Sequence, residues 1–142
     1  MAEVRITKVS AIETAPMGSN LIVVRIDTNQ SGLYGYGCAT YTQRHKAVVT
    51  AIEEYMNQLL VGRDALNVND AWSVMMNSSY WRNGPVLNNA ISGCDMALWA
   101  GVRHPHGLAR QPEKLHILVG RQSARSRAGI PARRRGRLRQ SG

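Results

Sequence analysis

The charge of this chain changes abruptly at Trp99, and that change decides which part of it can form a core. Residues 1–99 carry 7 Lys/Arg against 8 Asp/Glu, whereas residues 100–142 carry 11 against 1, so the formal charge of +9 belongs to the last stretch. Aromatic residues also stop at Trp99. A segment with such charge density and so little to bury cannot offset the entropy of ordering itself. The expected organisation is one α+β domain over residues 1–99, an ordinary domain size, and a disordered basic tail over residues 100–142.

Within the first region the periodicity is two, then 3.6. Residues 6–15 and 20–28 are rich in β-branched residues, with the Leu21-Ile22-Val23-Val24-Arg25-Ile26 run at the centre of the second, and they pair most simply as a hairpin across residues 16–19. The turn formers of residues 27–32 lead to a third strand over residues 33–39. There Tyr34 and Tyr36 alternate with Gly35 and Gly37. Glycine at every second position of a strand marks a close approach by another backbone or a ligand. The expectation is a three-stranded antiparallel β-meander.

Helical spacing then takes over. Val48, Ala51, Ile52, Tyr55, Met56 and Leu59 recur on one stripe, which predicts an amphipathic helix over residues 44–60, stopped by Gly62. Asn67 or Asn69 can cap a second helix with Val68, Trp72, Met75 and Met76 on its apolar side. Pro85 suits the first turn of a third, which buries Leu87, Ala90, Ile91, Cys94 and Leu98. The trp and met positions are read as core, and so are the thiols of Cys38 and Cys94, which lack metal-ligand spacing. No apolar leader and no run of 18 apolar residues occurs, so a cytoplasmic setting with no membrane partner is expected.

The strings Tyr80-Trp81-Arg82-x-Gly84-Pro85, Asp95-Met96-Ala97-Leu98-Trp99 and Gly35-x-Gly37-Cys38-Ala39-Thr40, in this order around a meander and a small helical bundle, resemble the N-terminal capping domain of the enolase superfamily. Within it the chain is similar to the acid-sugar dehydratases of the mannonate dehydratase group, which includes galactonate dehydratase-like and starvation-sensing members. The resemblance implies removal of water from a sugar acid by abstraction of the proton beside a carboxylate. Mg²⁺ held by several carboxylates stabilises the enediolate in that full-length family. It further implies that those ligands, and the acid and base, lie on a (β/α)-barrel of about 200 residues or more. Only 43 residues follow Trp99, with Glu113 their one carboxylate side chain. The chain is therefore expected to lack the barrel, every catalytic residue and any metal site, and to be inactive alone.

The same resemblance assigns the loop after the third strand, residues 40–45, to the substrate. Thr42 and Gln43 are its candidate binding residues, in positions where mannonate dehydratases carry asparagine and glycine. Gln43 offers an amide donor and acceptor to a sugar hydroxyl, and Thr42 a shorter hydroxyl. The alternative is that both merely cap the following helix. His45 reads as a solvated first-turn residue, Arg82 as a stacking or pairing group, and Asp95 as a structural carboxylate bonded to a backbone or arginine donor.

In the family the last helix runs on with an acidic residue and a lysine, where this chain has Ala100-Gly101-Val102-Arg103. The Arg, Gly, Ala, Pro, Gln and Ser bias that follows fits GC-rich coding DNA read out of frame, so a frameshift near codon 100 is expected. Two kinds of partner remain for such a chain. A second copy would meet the surface that the barrel leaves bare. Nucleic acid would meet the arginines of residues 121–139 through charge, without sequence preference. A small nucleic-acid-binding protein is the alternative function, weakened by the absence of aromatic stacking residues in the tail.

Overall fold

The computed structural model describes residues 3–103. Strand β1 (Ile6–Thr14) pairs antiparallel with β2 (Leu21–Thr28), and β2 with β3 (Tyr34–Cys38), in the order β1-β2-β3. Ser10 stands opposite Arg25, and Arg25 opposite Tyr36. Alternation along β2 buries Ile22, Val24 and Ile26 and sends Val23, Arg25 and Asp27 to the other face. On that face Arg25 bonds Asp27 at 2.7 Å and the Tyr36 hydroxyl at 3.2 Å, and lies 4.6 Å from the Tyr34 ring centroid.

The β1–β2 connection is a tight turn, Pro16–Gly18, in which Met17 at φ 50 and Gly18 at φ 83 both take left-handed backbone. Three N–H groups on the outer edge of β1 find partners. The Val9 N–H donates to Asn57 Oδ1 at 2.9 Å, Ala11 N–H to Glu53 Oε1 at 3.4 Å, and Ile6 N–H to the Arg63 carbonyl at 3.0 Å.

Helix α1 occupies residues 45–60 as His45–Thr50, a wider π-helical stretch Ala51–Met56, and Asn57–Leu60. Its buried positions are Val48, Ala51, Ile52, Met56 and Leu60. The expected stripe differs at two places: Tyr55 is exposed, and Leu60 rather than Leu59 is fully buried. A spacing of four sustained through 48, 52, 56 and 60 lags behind a 3.6-residue turn, and the wide turns absorb the lag.

Helix α2 (Val68–Asn77) starts at Asn67, whose side chain accepts from the Asp70 N–H at 3.3 Å. It buries Val68, Ala71 and Met75, whereas Trp72 is exposed and not core, because Ala71 occupies the inward position of that turn. Helix α3 (Pro85–Ala97) follows Gly84, whose φ of 125 is open to glycine alone, and places Pro85 in its first turn as expected. Ala90, Ile91, Cys94 and Leu98 are buried and Leu87 is half-buried. A π-helical stretch, Leu98–Arg103, carries α3 past the break in composition.

Helix α3 lies directly on the backbone of β3. A Cβ on Gly35 would land on the Ala97 carbonyl, and one on Gly37 on the Gly93 carbonyl. From the helix side, a Cβ on Gly93 would come within 2.6 Å of the Ala39 Cβ, and one on Gly101 would strike the Gly35 Cα. The strand glycines therefore do admit a second backbone, and the seam runs from Gly93 through Ala97 to Gly101. Cys94 beside it is buried, and burial pushes its thiol up to about 12, out of reach of ionisation at neutral pH. Cys38 departs from expectation and is exposed, since it lies on the outer face of β3 with Tyr34 and Tyr36.

The architecture is thus α+β, a three-stranded antiparallel sheet followed by helices, with no (β/α)-barrel among the described residues. The tail expected to be disordered lies, from His104 onward, outside the described residues.

Candidate functional site

The loop after β3 starts on a fixed support. The Ala39 N–H donates to the Ile22 carbonyl at 2.9 Å, and the Ile22 N–H donates to Thr40 Oγ1 at 3.2 Å, so a side chain extends the β2–β3 ladder by one rung. Tyr41 packs its ring against the core. The chain then makes a single 3₁₀ turn, Thr42–Arg44, closed by the Arg44 N–H on the Tyr41 carbonyl at 3.1 Å, and enters α1 at His45. His45 Nε2 stands 3.5 Å from Glu13 Oε2, which ties this end of α1 to β1.

Thr42 and Gln43, the two sequence-predicted binding residues, are adjacent on this turn. The Thr42 hydroxyl donates to Gln43 Oε1 at 3.1 Å, and Arg44 Nη1 donates to the Gln43 carbonyl at 2.9 Å. Neither residue caps a helix. The cap positions belong to Tyr41 and Arg44, and neither makes a side-chain cap bond. The exposed Gln43 amide nitrogen has no partner among the described residues, so the turn presents a donor toward solvent beside a hydroxyl. Such a pair can meet the alternating donors and acceptors of a polyol.

The other residues singled out from sequence sit elsewhere. Asp95 is half-buried on α3, and burial raises its carboxyl above the usual range against a hydrogen bond from the Trp99 side chain one turn on. Its donor is therefore an indole rather than the expected backbone or arginine group. Arg82 is exposed and forms no ion pair among the described residues. Tyr80 and Trp81 project beside it, their rings edge to face at 6.0 Å. The string that carries the family resemblance thus stands with both rings free of the core. A segment between a helix end and a Gly-Pro start, with no apolar residue at helical spacing, was the available signal.

The carboxylates are scattered. Asp27 is held by Arg25, Asp70 by Arg63, Asp64 by the Leu66 N–H, and Glu53 by the Ala11 N–H. No group of three or more His, Cys, Asp or Glu side chains that could hold a metal ion forms among the described residues. These residues therefore do not fit a Mg²⁺ site, and no step through the ion can be derived for them. No helix among the described residues is long and apolar enough to cross a membrane.

Residues 2–106 match the family model of the mandelate racemase / muconate lactonizing enzyme N-terminal domain. Curated relatives include a D-galactonate dehydratase family member of Enterocloster bolteae, 58% identical over 99 residues that make up 70% of this chain and 24% of the relative. One of Catenulispora acidiphila is 57% identical over 95 residues, 67% of this chain and 22% of the relative. Among solved structures, an enolase of Pantoea ananatis with bound D-gluconate and Mg is 56% identical with a TM-score of 0.66, over 68% of this chain and 23% of that one. An enolase superfamily member of Salmonella Typhimurium is 27% identical with a TM-score of 0.62, over 68% and 26%. The chain spans about a quarter of the length of the curated relatives it matches. With its sheet, its helices and residues 2–106 all in agreement, the chain belongs to the mandelate racemase / muconate lactonizing enzyme N-terminal domain family, the capping domain of the enolase superfamily.

Proposed function

We propose that this chain is the capping portion of a Mg²⁺-dependent sugar-acid dehydratase of the mannonate, gluconate or galactonate type, and that it is inactive by itself. The observation that carries the reading is the 58% identity to a D-galactonate dehydratase family member, confined to 24% of that relative. Dehydration of a sugar acid needs a base for the proton beside the carboxylate and a fixed positive charge for the enediolate. Neither has a source in the scattered carboxylates of residues 3–103. What this portion supplies is recognition: Thr42 and Gln43 on their turn hydrogen-bond hydroxyls of the sugar acid. Two free thiols, one of them exposed, suit a reducing cytoplasm.

The composition change after Trp99 is, in this reading, a frameshift near codon 100. Translating the other two forward frames of the gene downstream of that codon checks it. A frame that continues the helix and yields alternating strands is expected; its absence from both frames defeats the frameshift. For the activity, the purified chain is incubated with Mg²⁺ and each of mannonate, gluconate and galactonate. No 2-keto product is expected, and measurable turnover of any of the three overturns the proposal.

A further inference from the structure

Asn83 is the one asparagine of the chain that precedes a glycine, and the pair stands in the loop between α2 and α3. Both halves of the pair are unengaged. The Asn83 side chain is exposed and enters no hydrogen bond among the described residues. The Gly84 N–H has no partner among them either, whereas the Gly84 carbonyl accepts from the Asn88 N–H at 3.0 Å as α3 begins. A Cβ on Gly84 would meet nothing within 4 Å, so the space beside its backbone is open. Other asparagines are held. Asn29, Asn57 and Asn67 accept backbone N–H groups of Arg5, Val9 and Asp70, and Asn77 and Asn89 donate to the Ser73 and Pro85 carbonyls.

We propose that Asn83-Gly84 is a modification site at which the chain deamidates without an enzyme. Hydroxide takes the Gly84 amide proton, and the nitrogen bonds to Asn83 Cγ. The side-chain nitrogen leaves as ammonia with a proton from water, which returns the hydroxide and closes a succinimide ring. Water then opens the ring at one of its two C–N bonds. Cleavage at Cγ leaves aspartate, and cleavage at the backbone carbonyl leaves isoaspartate, with the chain running through the former side chain. Nucleophile and carbonyl belong to adjacent residues, so the ring closes with the advantage of an intramolecular step. Glycine leaves the attacking nitrogen uncrowded, and no hydrogen bond has to be broken to free it. The product charge is not opposed, because α3 has no acidic side chain in its first turn and no side-chain cap at its positive end.

The full chain is held at about 37 °C and about pH 8, in buffer and in urea, and its peptides are followed by mass spectrometry with chromatography that separates aspartate from isoaspartate. In buffer Asn83 is expected to convert before any other asparagine, with isoaspartate among the products, at a rate within about tenfold of that in urea. Another asparagine that converts first in buffer overturns the proposal, as does a folded rate lower than this, or aspartate formed with no isoaspartate. Gly84→Ala is expected to slow conversion several-fold in urea, where the start of α3 no longer matters. An unchanged rate there overturns the ring closure.

Discussion

The seam between β3 and α3 and the loop that follows β3 are neighbours in sequence, yet they impose opposite demands on side chains. At the seam, Gly35, Gly37, Gly93 and Gly101 let two backbones touch, and a single added carbon at any of them collides with backbone or a packed side chain. Five residues beyond Gly37, Thr42 and Gln43 bond mainly to each other, and the core would not register their replacement. Close packing and exposed hydrogen-bonding groups are thus separated along the chain. The seam holds sheet and helix together through backbone contact, whereas the loop carries the exposed Gln43.

The sharpest way to break this contrast is to fill the seam. Gly37→Ala forces a Cβ into the Gly93 carbonyl and should cost about 3 kcal/mol, near the upper end for overpacking, read as a fall in the urea midpoint. Gly101→Ala should approach that loss although position 101 lies beyond Trp99, since its Cβ would also come within 2.6 Å of the Tyr34 carbonyl. An unperturbed midpoint would place the end of the folded unit before Ala100.

Next in size is the register of α1. Leu60→Ala should cost about 3 kcal/mol as a core truncation, and Leu59→Ala less than half of that, the reverse of what the 3.6-residue stripe implies. Equal losses in paired denaturation curves would remove the π-helical stretch as the cause.

A smaller effect concerns Asp95. Its carboxyl is raised in the folded state above the ordinary 3.8, chiefly by burial. The contribution to stability is therefore fully present below pH 3.8 and is lost as pH rises through the raised value. Asp95→Asn, whose amide oxygen still accepts from Trp99, should gain on the wild type between pH 3 and pH 7. Denaturation at the two pH values checks the sign, and a constant difference would contradict it.

Smallest of all, Thr42→Ala and Gln43→Ala should each change stability by less than about 0.5 kcal/mol. A larger loss in the same assay would make the loop part of the scaffold and erase the contrast.

Much of the scaffold was legible in the residues. Alternation marked β2, glycine at positions 35 and 37 announced a backbone contact, and Pro85 fixed the start of α3, because each is a local steric rule that tertiary structure did not override. The misses have equally local causes. Periodicity assumes a uniform turn, so the wide turns at Ala51–Met56 moved burial from Leu59 to Leu60 unseen. Hydrophobicity alone put Trp72 inside, whereas the tight α2 surface admitted only Ala71 at that level. Gly101, beyond the change of composition at Trp99, fits the seam whatever its neighbours are. Of the candidate site, the family resemblance pointed to the loop, and the residue types only to hydrogen bonding. The mutual bond of Thr42 and Gln43 could not be read, because side-chain pairing on a one-turn helix leaves no period in a sequence.

The covered edge of β1 bears on how such a chain behaves once it accumulates. Open strand edges add copies without limit, and each addition exposes a fresh edge for the next. Here Asn57, Glu53 and Arg63 occupy the edge donors of Val9, Ala11 and Ile6. Growth by strand addition to the β1 edge would first have to displace these three bonds.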